Sequence, residues 1–89
     1  MEFEFDPTKS EANKVKHGID FVAAQELWYD PKKKTLAASY REEVRFLTVG
    51  SINGLLWTCV FTLRGRRIRI ISVRRSRKVE RLAYGQDDS

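Results

Sequence analysis

The fold is decided by the stretch Arg64–Tyr84, which reads RGRRIRIISVRRSRKVERLAY. Its first part holds four β-branched residues, Ile68, Ile70, Ile71 and Val73, which favour a strand. Strict alternation predicts two faces: Arg69, Ile71, Val73 and Arg75 on one, and Ile68, Ile70, Ser72 and Arg74 on the other. Since both faces carry apolar residues, we expect an interior strand whose arginines emerge at its C-terminal end.

The second part of the stretch has a helical pattern. Ser76 is a residue type that caps helices, and Val79, Leu82 and Ala83 recur at helical spacing. Gly85 is predicted to end the helix, because glycine adopts the left-handed conformation that follows a last turn. The stretch is therefore predicted to be one strand followed by one C-terminal helix.

The positive charge of the chain is concentrated in the same stretch. Arg64–Tyr84 holds nine of the seventeen Lys and Arg residues and one acid, Glu80, whereas the whole chain carries +5. Most of these bases are arginines, whose planar guanidinium suits phosphate groups. The stretch therefore predicts a site for a polyanion, although a solvated strand end and a helix lined with salt bridges would have the same composition.

Length and composition limit the class of protein. The 89 residues predict a single domain, 1–89, and no apolar run is long enough to span a membrane. The N-terminus is acidic and alternating, unlike a signal peptide, so we expect a cytoplasmic protein. Cys59 has no second cysteine to pair with and is predicted to be a buried structural thiol. One His and one Cys exclude the usual zinc cluster, and we expect neither metal nor cofactor.

The N-terminal third is predicted to be one strand and two helices. Phe3 and Phe5 alternate with acids as in a short half-buried strand. Asp6 and Pro7 open a helix that ends at Gly18. Asp20 caps a second helix, which ends at the break 30–31.

The rest of the chain up to the basic stretch is predicted to be three further strands. They are residues 35–40, 44–49 and 55–63, and Asn53-Gly54 is a typical hairpin turn. Strands joined by tight turns form an antiparallel sheet. We therefore predict an α+β fold, an antiparallel β-sheet with two N-terminal helices packed on it and a C-terminal helix.

Three segments resemble the BrnT toxins of bacterial type II toxin–antitoxin modules. They are FDPTKSEANKVKHGIDF from Phe5, RFLTVG from Arg45, and RGRRIRIISVRRSRKVERLAY from Arg64. The pieces KHG-x-x-F and IRIIS-x-R-R are fairly specific in combination, and the one departure noted is Ser76, where the family often has alanine. The resemblance implies a RelE-like fold and a metal-independent endoribonuclease that cleaves RNA and arrests translation. It also implies a hetero-oligomer with a BrnA-like ribbon-helix-helix antitoxin, which binds operator DNA only as the complex.

Metal-free RNA cleavage by attack of a 2′-hydroxyl needs cations around the phosphorane and groups that move protons. The catalytic candidates are Arg64, Arg74, Arg75 and Arg77 as cations, and His17, Glu80 and Tyr84 as the proton acceptor or donor. The RNA-binding candidates are Arg66, Arg67, Arg69 and Lys78. Arginine stays protonated and is a poor base, so the proton transfers fall to the second group.

Each proton-transfer candidate also has a structural alternative. His17 precedes Gly18 and could cap the carbonyls at the end of its helix. Glu80 could form an ion pair that orients Arg77 three residues earlier, and Tyr84 could cover the edge of the core. The whole basic stretch could also belong to a non-catalytic nucleic-acid-binding module, or to a degenerate toxin that only binds its antitoxin.

Overall fold

The computed structural model describes residues 2–86, and a five-stranded sheet forms the centre of this region. The strands are β1 (Glu2–Glu4), β2 (Lys34–Tyr40), β3 (Glu43–Ile52), β4 (Leu55–Arg64) and β5 (Arg67–Arg75). The helices are α1 (Pro7–His17), α2 (Phe21–Ala24) and α3 (Lys78–Tyr84), and a 3-10 helix follows α2 at Gln25–Tyr29. The predicted α+β class is confirmed.

The sheet is mixed, so the prediction of an antiparallel sheet holds only for β2 to β5. The spatial order is β1-β5-β4-β3-β2, and β1 pairs with β5 in parallel. The register places Glu2 opposite Arg67 and Glu4 opposite Arg69, so acids of one strand lie beside bases of the other. Phe3 packs on the opposite face against Trp28. β5 is therefore an interior strand, as predicted.

The helix boundaries in the N-terminal third follow the capping signals. The Asp6 side chain accepts a hydrogen bond from the Thr8 N–H, and Gly18 ends α1 with a φ of 83°. Asp20 accepts from the Ala23 N–H at the start of α2. The predicted second helix has only four α-helical residues, because the chain continues to Tyr29 as a tighter 3-10 helix.

One face of the sheet, which we call the helix face, carries the hydrophobic core. Residues that follow α1 and belong to α2 and the 3-10 helix pack there on β4 and β5. The buried cluster is Ile19, Phe21, Ala24, Leu27, Cys59, Phe61, Ile68, Ile70 and Val73. Cys59 is fully buried, and burial raises the pKa of its thiol, which fits the predicted structural role.

Asn13 of α1 completes the outer edge of β5 beyond the short strand β1. Its side-chain amide donates to the carbonyl oxygen of Val73 at 2.8 Å and accepts from the Val73 N–H at 3.2 Å. It also donates to the Ile19 carbonyl. Because buried backbone groups need partners, this one side chain takes the place of a strand neighbour.

A β-bulge changes the predicted faces of β5. Phe61 pairs with Ile70 and Cys59 pairs with Val73, so Ile71 has no partner on β4. The extra residue shifts the alternation, which the prediction of strictly alternating faces did not include. The helix face of β5 is therefore Ile68, Ile70, Val73 and Arg75, and its other face is Arg67, Arg69, Ser72 and Arg74.

The C-terminal helix begins one residue later than predicted and is rotated relative to its apolar pattern. Ser76 is buried and bonded to the Thr58 hydroxyl, and Arg77 is the N-cap residue. Glu80 faces the sheet and is buried, whereas Val79 is 76% and Leu82 50% exposed. Glu80 accepts hydrogen bonds from Arg74, Thr58 and the Arg77 N–H, and these bonds orient α3 more strongly than its aliphatic residues do.

Candidate nucleic-acid interface

The face of the sheet opposite the helix face, which we call the open face, carries four of the predicted arginines. In the β4–β5 pair Arg64 lies opposite Arg67, Thr62 opposite Arg69, and Thr58 opposite Arg74. Partners in an antiparallel register share a face, and alternate residues of β4 share it too, so all four arginines point to one side. Arg69 and Arg74 share this face only because of the bulge.

These arginines form a track along β5. From Arg67 to Arg74 the strand covers roughly 20 Å at about 3.3 Å per residue. α3 covers the Arg74 end of the open face, and the end with Arg64, Arg67 and Arg69 is exposed or half-buried. The accessible part of the track is therefore its outer end, with Arg64, Arg67 and Arg69.

Arg45 of β3 is a functional candidate that the sequence reasoning missed. The pairing of Phe46 with Phe61 places Arg45 beside Thr62, and therefore on the open face with Arg69 on the far side of Thr62. Its guanidinium lies 4.1 Å from the centre of the Tyr40 ring. Alternation within residues 44–49 predicts which residues of β3 share a face with Arg45. It says nothing of β5, so only the register of the sheet shows that Arg69 lies on the same side as Arg45.

Carboxylates lie close to three of the arginines on the open face. Arg45 Nε is 3.2 Å from Glu43, Arg67 Nε is 3.2 Å from Glu2, and Arg69 Nη1 is 3.9 Å from Glu4. The Arg67–Glu2 pair is exposed, and an exposed ion pair contributes about 0–1 kcal/mol, so a phosphate can compete for Arg67 at little cost. The Arg45 and Arg69 side chains are half-buried in their pairs.

Arg74 and Glu80 form a much stronger pair at the junction of β5 and α3. Arg74 Nη1 and Nη2 donate to the two carboxylate oxygens at 2.7 and 2.8 Å, and Thr58 and the Arg77 N–H add bonds of 2.9 and 2.8 Å. Burial raises the pKa of Glu80, but these bonds outweigh it and lower the pKa to about 2. Glu80 is therefore a poor proton acceptor and a good anchor for Arg74. The predicted pairing of Glu80 with Arg77 is made by the Arg77 backbone instead of its side chain.

The remaining cations of the basic stretch diverge from the track. Arg75 lies on the helix face, with its guanidinium 5.4 Å from the centre of the Trp57 ring and a bond to the Leu56 carbonyl. Arg77 and Lys78 are exposed at the start of α3, and Arg66 is exposed in the β4–β5 turn. The four catalytic arginine candidates therefore do not form one pocket. Within residues 2–86, Arg74 is the only one of the four that is bound to a carboxylate.

Tyr84 and His17 lie apart from the arginine track. The Tyr84 hydroxyl donates to Asp30 Oδ2 at 2.7 Å, and the same oxygen accepts from the Ser51 N–H. The bond to Asp30 raises the pKa of Tyr84. Burial raises the pKa of Asp30, but the bond from Tyr84 and the bonds from the Lys32 and Ser51 N–H groups outweigh burial and lower it. His17 is half-buried in the last turn of α1 and makes no hydrogen bond within residues 2–86, so the predicted capping role is not seen there.

Two negative findings apply to the described part of the chain. Within residues 2–86 no group of three or more His, Cys, Asp or Glu side chains is placed to hold a metal ion. No helix in that region is long and apolar enough to cross a membrane.

Comparison with known families identifies the family of the chain. The model of a family described as the ribonuclease toxin, BrnT, of type II toxin–antitoxin systems matches residues 5–80, which is most of the chain. The chain belongs to the BrnT family. No curated protein matches it.

The BrnT match covers the whole arginine track, together with Arg45, His17 and Glu80, and it ends before Tyr84. BrnT proteins are ribonuclease toxins of type II modules, so an RNA substrate and an antitoxin partner follow from membership.

Proposed function

We propose that this BrnT protein is a metal-independent endoribonuclease that inhibits translation, and that it binds RNA along the open face. The observation that carries the proposal is the arginine track, which the β-bulge aligns on one side of the sheet. Guanidinium groups in fixed positions stabilise the charge that develops on a phosphorane. The proposed RelE-like fold, cytoplasmic location and ribbon-helix-helix antitoxin, which carries the toxin to operator DNA, follow from the resemblance to the family.

Arg69 and Arg45 are the phosphate-binding residues of this proposal, with Arg64 and Arg67 continuing the track toward the β4–β5 turn. Arg74 lies at the inner end of the track. Its guanidinium has five N–H groups, and Glu80 accepts hydrogen bonds from two of them, so the group has further donors. Glu80 is a positioning residue, since its low pKa keeps it ionised and bonded.

The proposal keeps His17 and Tyr84 as its candidates for proton transfer; both lie apart from the arginine track, so the RNA must extend beyond the track to meet them. Tyr84 has a raised pKa and stays protonated, so it can donate a proton but not accept one at neutral pH. His17 has both ring nitrogens without partners in residues 2–86, which suits a proton acceptor.

The test is cleavage of single-stranded RNA by the purified toxin in the presence of EDTA. We expect products with 2′,3′-cyclic phosphate and 5′-hydroxyl ends. Arg69→Ala should lower kcat/KM by about 10- to 100-fold, the effect of losing one charge-assisted contact. Lys9→Ala, which removes an exposed base of α1 far from the track, is the control and should change kcat/KM less than twofold.

Four outcomes would contradict parts of the proposal. Full activity of Arg69→Ala would show that the open face does not bind substrate. Loss of cleavage in EDTA would show that the reaction needs a metal. RNA binding without any cleavage would favour the non-catalytic module, and normal translation in cells that express active enzyme would refute translational arrest.

A further inference from the structure

The exposed aliphatic side of α3 is the feature of this molecule that RNA binding leaves unexplained. Val79 is 76% and Leu82 50% exposed, and Ala83 beside them is exposed as well. These three residues lie on one flank of α3 at helical spacing, while Glu80 is buried against the sheet. A helix that turns its carboxylate inward and its aliphatic residues outward has a face that lacks a partner within residues 2–86.

The flank that carries these residues borders the middle of the open face. On the other flank, Arg81 donates to the Ser76 carbonyl, which lies just past the end of β5. Arg81 and Val79 lie on opposite sides of α3, because two residues turn a helix by about 200°. Val79 therefore points toward the centre of the strands.

The floor beside this flank is also aliphatic. The register aligns Leu36 of β2, Leu47 of β3 and Val60 of β4 in one row across the open face. Leu36 is 37% exposed, and Leu47 and Val60 are half-buried. Beyond this row lie Arg45 and Arg69. The result is a groove with α3 as one wall, an aliphatic floor and arginines along its far rim.

We propose that this groove binds an amphipathic segment of the antitoxin whose apolar side chains pack on α3 and the floor and whose carboxylates pair with Arg45 and Arg69. The inference rests on the proposed function, because the antitoxin would then cover the track that holds RNA. Aliphatic residues bordered by bases match a peptide with apolar and acidic sides. RNA fits the aliphatic wall poorly, since bases stack on aromatic or guanidinium planes.

A second copy of the chain fits the groove less well than an acidic peptide. A symmetric dimer through the open face would bring Arg45 and Arg69 of both copies to the same interface. The chain already carries a net charge of +5, so this association places like charges together.

The test uses toxin variants at the aliphatic wall, which has no role in RNA binding in our proposal. Val79→Glu and Leu82→Glu are exposed substitutions that place a carboxylate against the acidic segment. We expect each to weaken the binding of the co-expressed cognate antitoxin by at least 10-fold, measured by titration of the purified proteins. RNA cleavage by the free variants should stay within twofold of the wild type.

Val15→Glu is the matched control, because Val15 is a helical valine that is 90% exposed on α1. It should leave both antitoxin binding and cleavage unchanged. Thermal unfolding of the three variants shows whether each is folded, and amide hydrogen exchange of the wild-type complex should protect β2, β3 and α3.

The outcomes separate this inference from the proposed function. Wild-type affinity of both wall variants for the antitoxin would overturn the groove as its docking site, whatever the cleavage assay shows. Loss of cleavage in folded Val79→Glu would identify the wall as an RNA contact and would also overturn the inference. A wild-type toxin that cleaves no RNA yet loses its antitoxin through Val79→Glu would support the groove and refute the nuclease. Dissociation of a toxin homodimer by Val79→Glu would assign the groove to a second copy.

Discussion

Replacing Glu80 by Gln tests whether one carboxylate holds the junction of β5 and α3. The pKa of Glu80 falls from 4.5 to about 2 in the folded protein. At about 1.4 kcal/mol per pKa unit, this fall corresponds to about 3 kcal/mol of stability as an upper value. Glu80→Gln also leaves Arg74, whose side chain is 18% exposed, without its charge partner. We therefore expect a loss of about 2–3 kcal/mol in the free energy of unfolding at pH 7.

The pH dependence gives the sign of the effect independently. A carboxylate with a lowered pKa stabilises the folded state fully above its unfolded value of 4.5, and loses this contribution as the pH falls toward 2. Urea unfolding of the wild type between pH 7 and pH 2.5 should therefore show a falling free energy below about pH 4.5. The Glu80→Gln variant should lack most of this acid-dependent loss.

Glu11→Gln is the matched control, since Glu11 is an exposed glutamate of α1. It should be as stable as the wild type at pH 7 and keep the same loss of stability in acid. If Glu80→Gln lost stability in acid as steeply as the wild type, the low pKa of Glu80 would not stabilise the fold and our account of the junction would be wrong. If Glu80→Gln were as stable as the wild type at pH 7, the orientation of α3 would need another cause.

Two further predictions concern single side chains that connect distant segments. Asn13→Ala should lower the free energy of unfolding by about 2–3 kcal/mol, because it leaves both backbone groups of Val73 without their partner. Amide hydrogen exchange at Val73 should become faster. Unchanged exchange at Val73 would refute the role of Asn13 at the edge of β5. Tyr84→Phe should lower the free energy of unfolding by about 1 kcal/mol and raise the pKa of Asp30 in a carboxylate titration, because it removes the bond between them. Tyr29→Phe, at a tyrosine that is 86% exposed, should change neither quantity.

Local signals in the sequence were sufficient for most of the secondary structure. Asp6, Gly18 and Asp20 bound the helices where their side chains and conformations predict, because caps act over only a few residues. The hairpin at Asn53-Gly54 has the positive φ angles that its turn requires. The short α2 was predicted less well, since the change from α-helix to 3-10 helix depends on how the segment packs.

The candidate site was predicted in composition but not in geometry. The concentration of arginines in Arg64–Tyr84 identified the strand that carries the arginine track, because charge is read directly from the sequence. Strict alternation placed Arg69 and Arg74 on opposite faces, and the bulge at Ile71 placed them together. A bulge depends on how two strands pair, so a periodicity within one strand cannot locate it. Arg45 and Asp30 were missed for the same reason, since their partners are far away in the sequence.

The sequence alone determined the charge of the site, the order of the elements and the residues that begin and end them, because these follow from side-chain chemistry and short-range hydrogen bonds. Tertiary structure decided which side chains meet. The parallel pairing of β1, the shifted face of β5 and the inward turn of Glu80 all depend on contacts between distant residues. The direction of α3 is the clearest case, because its aliphatic residues predict one buried side and the bonds of Glu80 to Arg74 and Thr58 select another.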